Sequence, residues 1–64
     1  MYFSSYHDTR EKARQANRIM RSKIGQIVSI THEGEDRLVK VVQVVPVRND
    51  WAYGWVSAYE GELL

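Results

Sequence analysis

The chain contains no cysteine, one proline (Pro46) and only four glycines among its 64 residues. Without cysteine it can form neither a disulfide nor a thiolate metal site, and a reducing intracellular compartment is compatible with it. No apolar run approaches the ~18–20 residues of a membrane span. Residues 1–5 lack the basic segment and apolar run of a signal peptide. We therefore expect a soluble, cytoplasmic protein with no membrane partner.

Sequence motifs for catalysis and cofactor binding are also missing. The four glycines are isolated from one another, so no phosphate-binding loop is formed. The two histidines, His7 and His32, stand without cysteine, and their spacing identifies neither a metal site nor a catalytic triad. The acidic segment 33–36 lacks the spacing of a calcium loop and is expected to be a solvated turn. The sequence predicts no enzyme activity, no cofactor and no metal.

The small size of the chain limits its core. A chain of 64 residues forms a single domain, 1–64, near the size at which burial only just outweighs the loss of conformational entropy. Hydrophobic residues make up 44% and charged residues 27%, as in folded domains. Because no disulfide is available, oligomerisation is the remaining common source of stability, and we expect a homo-oligomer.

A basic amphipathic helix is predicted for residues 5–24. Ser5 followed by Asp8 fits a capping box, no proline or glycine interrupts the segment, and Gly25 follows it as a favoured helix end. One arc of this helix has small residues in its middle and is expected to face the rest of the protein. Its members are Tyr6, Thr9, Ala13, Ala16, Met20 and Ile24.

Four arginines form a stripe on a neighbouring arc. They recur at i, i+4, i+8 and i+11, which at ~100° per residue places them within ~80°. They are Arg10, Arg14, Arg18 and Arg21. Residues 1–24 hold six Lys/Arg and two Asp/Glu, whereas residues 25–64 hold three and six. Such segregation points to an anionic partner or to self-complementary assembly, and a solvated helix face is the alternative.

From residue 26 onward the hydrophobic period becomes that of strands. The runs 26–32, 37–47 and 50–60 are separated by short polar turns, which predicts a three-stranded antiparallel meander over 26–60. With the helix packed on it, the fold class is α+β. The middle run is apolar on both faces, so the meander either curls into a small partial barrel or covers its second face with another copy. Pro46 has no amide hydrogen and is expected at an edge, at a bulge or beyond the ladder.

The third predicted strand separates large and small side chains. The aromatic residues fall on one face at period two: Trp51, Tyr53, Trp55 and Tyr59. The small residues fall on the other face: Ala52, Gly54, Val56 and Ala58. We expect the helix to cover the small face. The aromatic row is then core, a partner interface or a surface on which bases stack.

Residues 26–60 resemble, in strand lengths and aromatic placement, the small β-barrels and SH3-like domains that bind RNA, DNA or peptide segments. The resemblance implies a binding module and transfers no site residues. We predict a small non-enzymatic module whose arginine stripe contacts nucleic-acid phosphates, with the four aromatics as stacking groups. Two alternatives stay open. One is a protein-interaction module, an adaptor or small inhibitor of a larger protein, and the other is a homo-oligomer whose basic helices lie against the acidic sheets of neighbours.

Overall fold

The computed structural model describes all 64 residues. The elements in chain order are β1 (Tyr2–His7), α1 (Arg10–Arg21), β2 (Ile27–His32), β3 (Glu35–Asp50) and β4 (Gly54–Leu63). The strands form one antiparallel sheet in the order β1-β4-β3-β2, and α1 packs mainly on β3 and β4. The predicted α+β class is confirmed. The predicted meander corresponds to β2, β3 and β4, but the sheet has a fourth strand.

The additional strand, β1, occupies residues that the sequence pattern assigned in part to the helix. It pairs with β4 from Tyr2 opposite Glu60 to His7 opposite Trp55. Because β4 lies at the other end of the chain, no local periodicity reveals this pairing. Its hydrogen bonds override the weak local preference for helix.

The helix is shorter than the predicted 5–24 and spans Arg10–Arg21. Thr9 is its N-cap, with an extended backbone and a hydroxyl oxygen that accepts from the Lys12 amide at 3.2 Å. Gly25 lies in the turn that follows, at φ +86°, a conformation that glycine adopts without a Cβ clash. At 12 residues, α1 has neither the length nor the apolarity needed to cross a membrane.

The long strand β3 accommodates a segment that is apolar on both faces by means of a bulge. Its register with β4 shifts after Val41, where Val42 is the extra residue. An inserted residue exchanges the two faces of the strand beyond it. Val44, opposite Tyr59, therefore comes to the same face as Val41. Because of the bulge, valines that the sequence pattern assigns to two different faces of the strand lie on one face.

A second register shift, between Val45 and Arg48, contains Pro46. Proline cannot donate to the ladder, and an irregularity is where a long strand tolerates it. This irregularity is one of the three placements predicted for Pro46. This bulge lies beside α1 and shapes the surface next to the helix.

The sheet is curved, and α1 lies on its concave face. Phe3 on β1 and His32 on β2 belong to opposite edges, yet their ring centroids are 5.4 Å apart in a T-shaped contact. Side chains stand roughly perpendicular to a sheet, so a contact across four strands requires curvature. The fully buried apolar residues are Ala13, Val39, Val41 and Val56.

Candidate functional site

The arginine stripe forms one wall of a groove between α1 and the second bulge of β3. The helix turns Ala13 and Asn17, both buried, toward the sheet, so the neighbouring stripe lies along one flank of this contact. The groove has a volume of about 610 Å³, and we call it the arginine groove. Its lining residues are Arg10, Arg14, Asn17, Arg18, Arg21, Pro46 and Val47. All four predicted arginines thus share one surface.

None of these arginines makes an ion pair within the protein. The salt bridges are Lys12 with Asp8, His32 with Glu33, Arg37 with Glu35 and Arg48 with Asp50. The acid just before the stripe, Asp8, is engaged by Lys12 at 3.0 Å, and this hydrogen bond and charge lower the pKa of Asp8. Four exposed guanidinium groups therefore share a groove without a neutralising carboxylate.

Asn17 sets the position of the helix over the groove. It is only 5% exposed, and its side-chain amide donates to the Val45 carbonyl oxygen at 2.8 Å. This bond joins α1 to β3 immediately before Pro46. Sequence reasoning missed Asn17, although it lies one turn after Ala13, between the arc expected to be buried and the arginine stripe. A polar residue that is buried there requires a hydrogen-bond partner.

The four predicted aromatics are divided into two pairs. Trp51 and Tyr53 lie in the turn between β3 and β4, where their side chains are 95% and 67% exposed. Trp55 and Tyr59 lie on β4 and are half-buried. The predicted single row on one strand face is wrong, because β4 begins only at Gly54. We call residues 51–53 the aromatic turn.

The prediction that the small residues of this strand face the helix is also wrong. The Arg10 guanidinium carbon lies 5.9 Å from the centroid of the Trp55 ring, a cation–π contact that places Trp55 on the helix side. Ser57, the next residue on that face, is buried. Its small side chain lines the same cleft as Ala16 and Asn17 of the helix, where it leaves room for the helix between the larger rings.

The other flank of α1 borders a cleft of about 550 Å³, which we call the apolar cleft. Ile19 and Met20 line it from the helix, and Phe3, Tyr59 and His32 line it from the sheet. The rings of Phe3 and Tyr59 stack with centroids 5.3 Å apart. Burial disfavours the phenolate and raises the pKa of Tyr59.

The aromatic turn is organised by its flanking residues. Oδ1 of Asp50 accepts from the amides of Ala52 and Tyr53 at 2.9 and 3.2 Å. Gly54 has φ +94°, and a Cβ there would lie 2.6 Å from the His7 carbonyl oxygen. Only glycine satisfies both conditions. The turn is therefore fixed at both ends.

A small polar cluster joins β1 to β4 near this end of the molecule. Nε2 of His7 lies 2.9 Å from Oγ of Ser5 and 3.1 Å from Oγ of Ser57, and the two hydroxyl oxygens are 2.7 Å apart. Each hydroxyl thus has a hydrogen-bond partner, which accounts for buried Ser57. No group of three metal-ligating side chains is present.

Comparisons of this chain with protein-family models, with curated proteins and with solved structures give no match. The case for function consequently depends on the arginine groove, the aromatic turn and the apolar cleft. Of these, the arginine groove combines four exposed charges with the absence of an ion pair to any of them within the protein.

Proposed function

We propose that this protein is a small non-enzymatic binding module that contacts nucleic-acid phosphates through the arginine groove. The observation that supports this most strongly is the set of four exposed arginines with no acidic partner. A guanidinium group forms paired hydrogen bonds with phosphate oxygens, and it remains charged at any physiological pH. An anionic ligand would also relieve the mutual repulsion of the stripe, which is a few tenths of a kcal/mol per neighbouring pair.

The spacing of the arginines suits a polyanion better than a single anion. Arg10, Arg14 and Arg18 are four residues apart, which is a step of about 6 Å along the helix axis at 1.5 Å per residue. The opposite wall, formed by Pro46 and Val47, carries neither charge nor a side-chain hydrogen-bond donor. We therefore propose that the arginines contact phosphates rather than base edges and that binding is independent of sequence.

The salt dependence of affinity tests this proposal. Each neutralised phosphate contributes a slope of about −0.7 for single strands or −0.9 for B-DNA in a plot of log K against log salt concentration. Four arginine contacts predict a total slope between about −2.8 and −3.6. Arg18→Ala should make the slope less negative by about 0.7 to 0.9, because one contact is lost.

Lys40→Ala is the matched control. Like Arg18→Ala, it removes one positive charge, but from β3. Lys40 is exposed and points away from the face that carries buried Val39 and Val41, which is the face covered by the helix. We expect the Lys40 variant to keep the wild-type slope. Equal effects of the two substitutions would mean that net charge, and not the groove, drives binding, and the proposal would then fail.

A second candidate function is a protein interaction through a sheet edge. β1 and β2 are the edge strands, and neither contains Lys, Arg, Asp, Glu or Pro. Natural proteins commonly place such residues on free edges to prevent unwanted pairing. An unprotected edge accepts an added strand from a larger protein or from a second copy of this chain.

Ser4→Pro tests strand addition at β1. Met1 and Gly61 exchange backbone hydrogen bonds, and such pairs alternate along an antiparallel ladder, so the Ser4 amide points away from β4. Proline at this position blocks an added strand without removing a β1–β4 hydrogen bond. If the wild-type protein sediments as an oligomer through this edge, the variant should sediment as a monomer. Identical sedimentation of the two proteins would argue against this edge.

A further inference from the structure

We propose that the aromatic turn stacks on unpaired bases, so that the nucleic acid held by the arginine groove is single-stranded. This inference depends on the proposed function and adds the class of nucleic acid. It moves the stacking surface from the predicted strand face to the turn that precedes it. The aromatics that remain on the strand, Trp55 and Tyr59, are occupied by Arg10 and Phe3.

The exposure of Trp51 is the first observation. Its side chain is 95% exposed, more than any other large apolar side chain in the protein, and it therefore contributes almost nothing to the core. Tyr53, in contrast, leans on Tyr6 with ring centroids 5.2 Å apart. The indole of Trp51 is thus free to receive a base. One base stacked on an aromatic ring increases affinity by about 5- to 150-fold.

The local hydrogen bonding and close packing of the turn are the second observation. Oδ1 of Asp50 accepts hydrogen bonds from the amides of Ala52 and Tyr53. At the end of the turn, a side chain in place of Gly54 would clash with the His7 carbonyl oxygen, so only glycine fits there. A side chain held in place before binding loses less entropy when the ligand arrives. An exposed tryptophan on an ordered turn is therefore suited to a ligand in a way that one on a flexible loop is not.

The connection between the turn and the groove is the third observation. Trp55 pairs with His7 on one side and with Asn49 on the other, at the base of the aromatic turn. Arg10, at one end of the arginine groove, lies over the same Trp55 ring. A polyanion that follows the stripe toward Arg10 consequently arrives at the aromatic turn. In a duplex the bases are already stacked on one another, so only a single strand can offer a free base there.

The test uses fluorescence anisotropy with a labelled mixed-sequence oligonucleotide of ~12 nucleotides, within the usual range of single-strand site sizes, and with its duplex. The proteins are the wild type, Trp51→Ala, Trp51→Phe and Arg18→Ala. We expect the wild type to prefer the single strand. Trp51→Ala should lower single-strand affinity about tenfold and leave duplex affinity and the salt slope unchanged, whereas Trp51→Phe should retain most of the affinity.

The outcomes separate this inference from the function on which it depends. Equal single-strand affinity of Trp51→Ala and wild type, or equal binding of duplex and single strand by the wild type, overturns the stacking site alone. A full salt slope in Arg18→Ala, with weak binding by Trp51→Ala, overturns the arginine contact and supports the stacking site. Absence of binding to either form by the wild type overturns both and leaves the protein-interaction candidate. Because Trp51 is almost fully exposed, its substitution should not change the unfolding midpoint.

Discussion

The two flanks of α1 border grooves of similar volume, about 610 and 550 Å³, but of opposite chemistry. On one flank four arginines face two uncharged residues of β3 without an ion pair. On the other flank Ile19 and Met20 face a pair of stacked rings, Phe3 and Tyr59. The residue common to both flanks is Asn17, beneath the helix. One side of such a helix can stabilise the fold while the other side presents charge to solvent.

The energetic contributions of the two flanks have opposite signs. Aromatic pairs such as Phe3 with Tyr59 contribute about 0.5–1.5 kcal/mol beyond the burial of their area. Like charges spaced four residues apart on a helix, as in the arginine stripe, cost a few tenths of a kcal/mol per pair. The apolar flank is therefore explained by folding. The arginine flank is not, which is why we propose that it binds a ligand.

The largest predicted effect is on the apolar flank. Phe3→Ala removes contacts with both Tyr59 and His32 and should lower the free energy of unfolding by about 3 kcal/mol. The whole domain has a stability of only about 3–10 kcal/mol at its size. Urea denaturation measures the loss. Ile19→Ala is the control, since its side chain is 57% exposed in the same cleft and should cost far less; equal losses would contradict this assignment.

An intermediate effect is predicted where the flanks meet. Asn17→Ala deprives the Val45 carbonyl of its donor from the helix and should lower the free energy of unfolding by about 2 kcal/mol. It should also weaken ligand binding, because the helix is no longer fixed beside Pro46. The exposed Asn49, changed to Ala, serves as the control in the same denaturation series. A stable Asn17 variant with normal affinity would show that the flanks are set by something else.

The smallest predicted effect concerns pH. Burial raises the pKa of Tyr59 above its ordinary value of 10.0, so the unfolded state loses this proton first as the pH rises. The corresponding stability is fully present below pH 10.0 and is lost as the pH rises from there through the folded-state pKa. The urea midpoint of the wild type should thus fall more steeply in this window than that of Tyr59→Phe. Parallel curves for the two proteins would contradict the burial of Tyr59.

The arginine flank was predictable from sequence because its signal is local. The spacing of Arg10, Arg14, Arg18 and Arg21 determines a helix face wherever the helix begins and ends. The helix start was not predictable in the same way. The Ser5–Asp8 pattern is a plausible cap, but Ser5 lies in β1, and the partner of β1 is at the far end of the chain. Thr9 then takes the capping role.

The face of β4 that meets the helix is opposite to the predicted one, and this too depends on non-local structure. The alternation of Trp55 with its neighbours follows from the strand period, but no local pattern tells which face meets the helix. In the structure it is the face of Trp55 and buried Ser57. The aromatic turn had local signals that were missed. Asp50 commonly accepts hydrogen bonds from the amides that follow it, and Gly54 supplies a positive φ, so together they mark a turn at 51–53.

The central claim is that the arginine stripe serves a ligand and does not stabilise the fold. Thermal unfolding of the wild type and of the double variant Arg14→Ala/Arg18→Ala, each with and without a single-stranded oligonucleotide, tests both parts at once. A ligand at 100 times its Kd adds about 2.7 kcal/mol of stability, a rise in Tm of about 10–20 °C for a domain of this size. We expect this rise for the wild type, and for the variant a Tm no lower than that of the wild type without oligonucleotide and a much smaller rise with it. A variant that unfolds at lower temperature without oligonucleotide, or that shows the full rise with it, would contradict the claim.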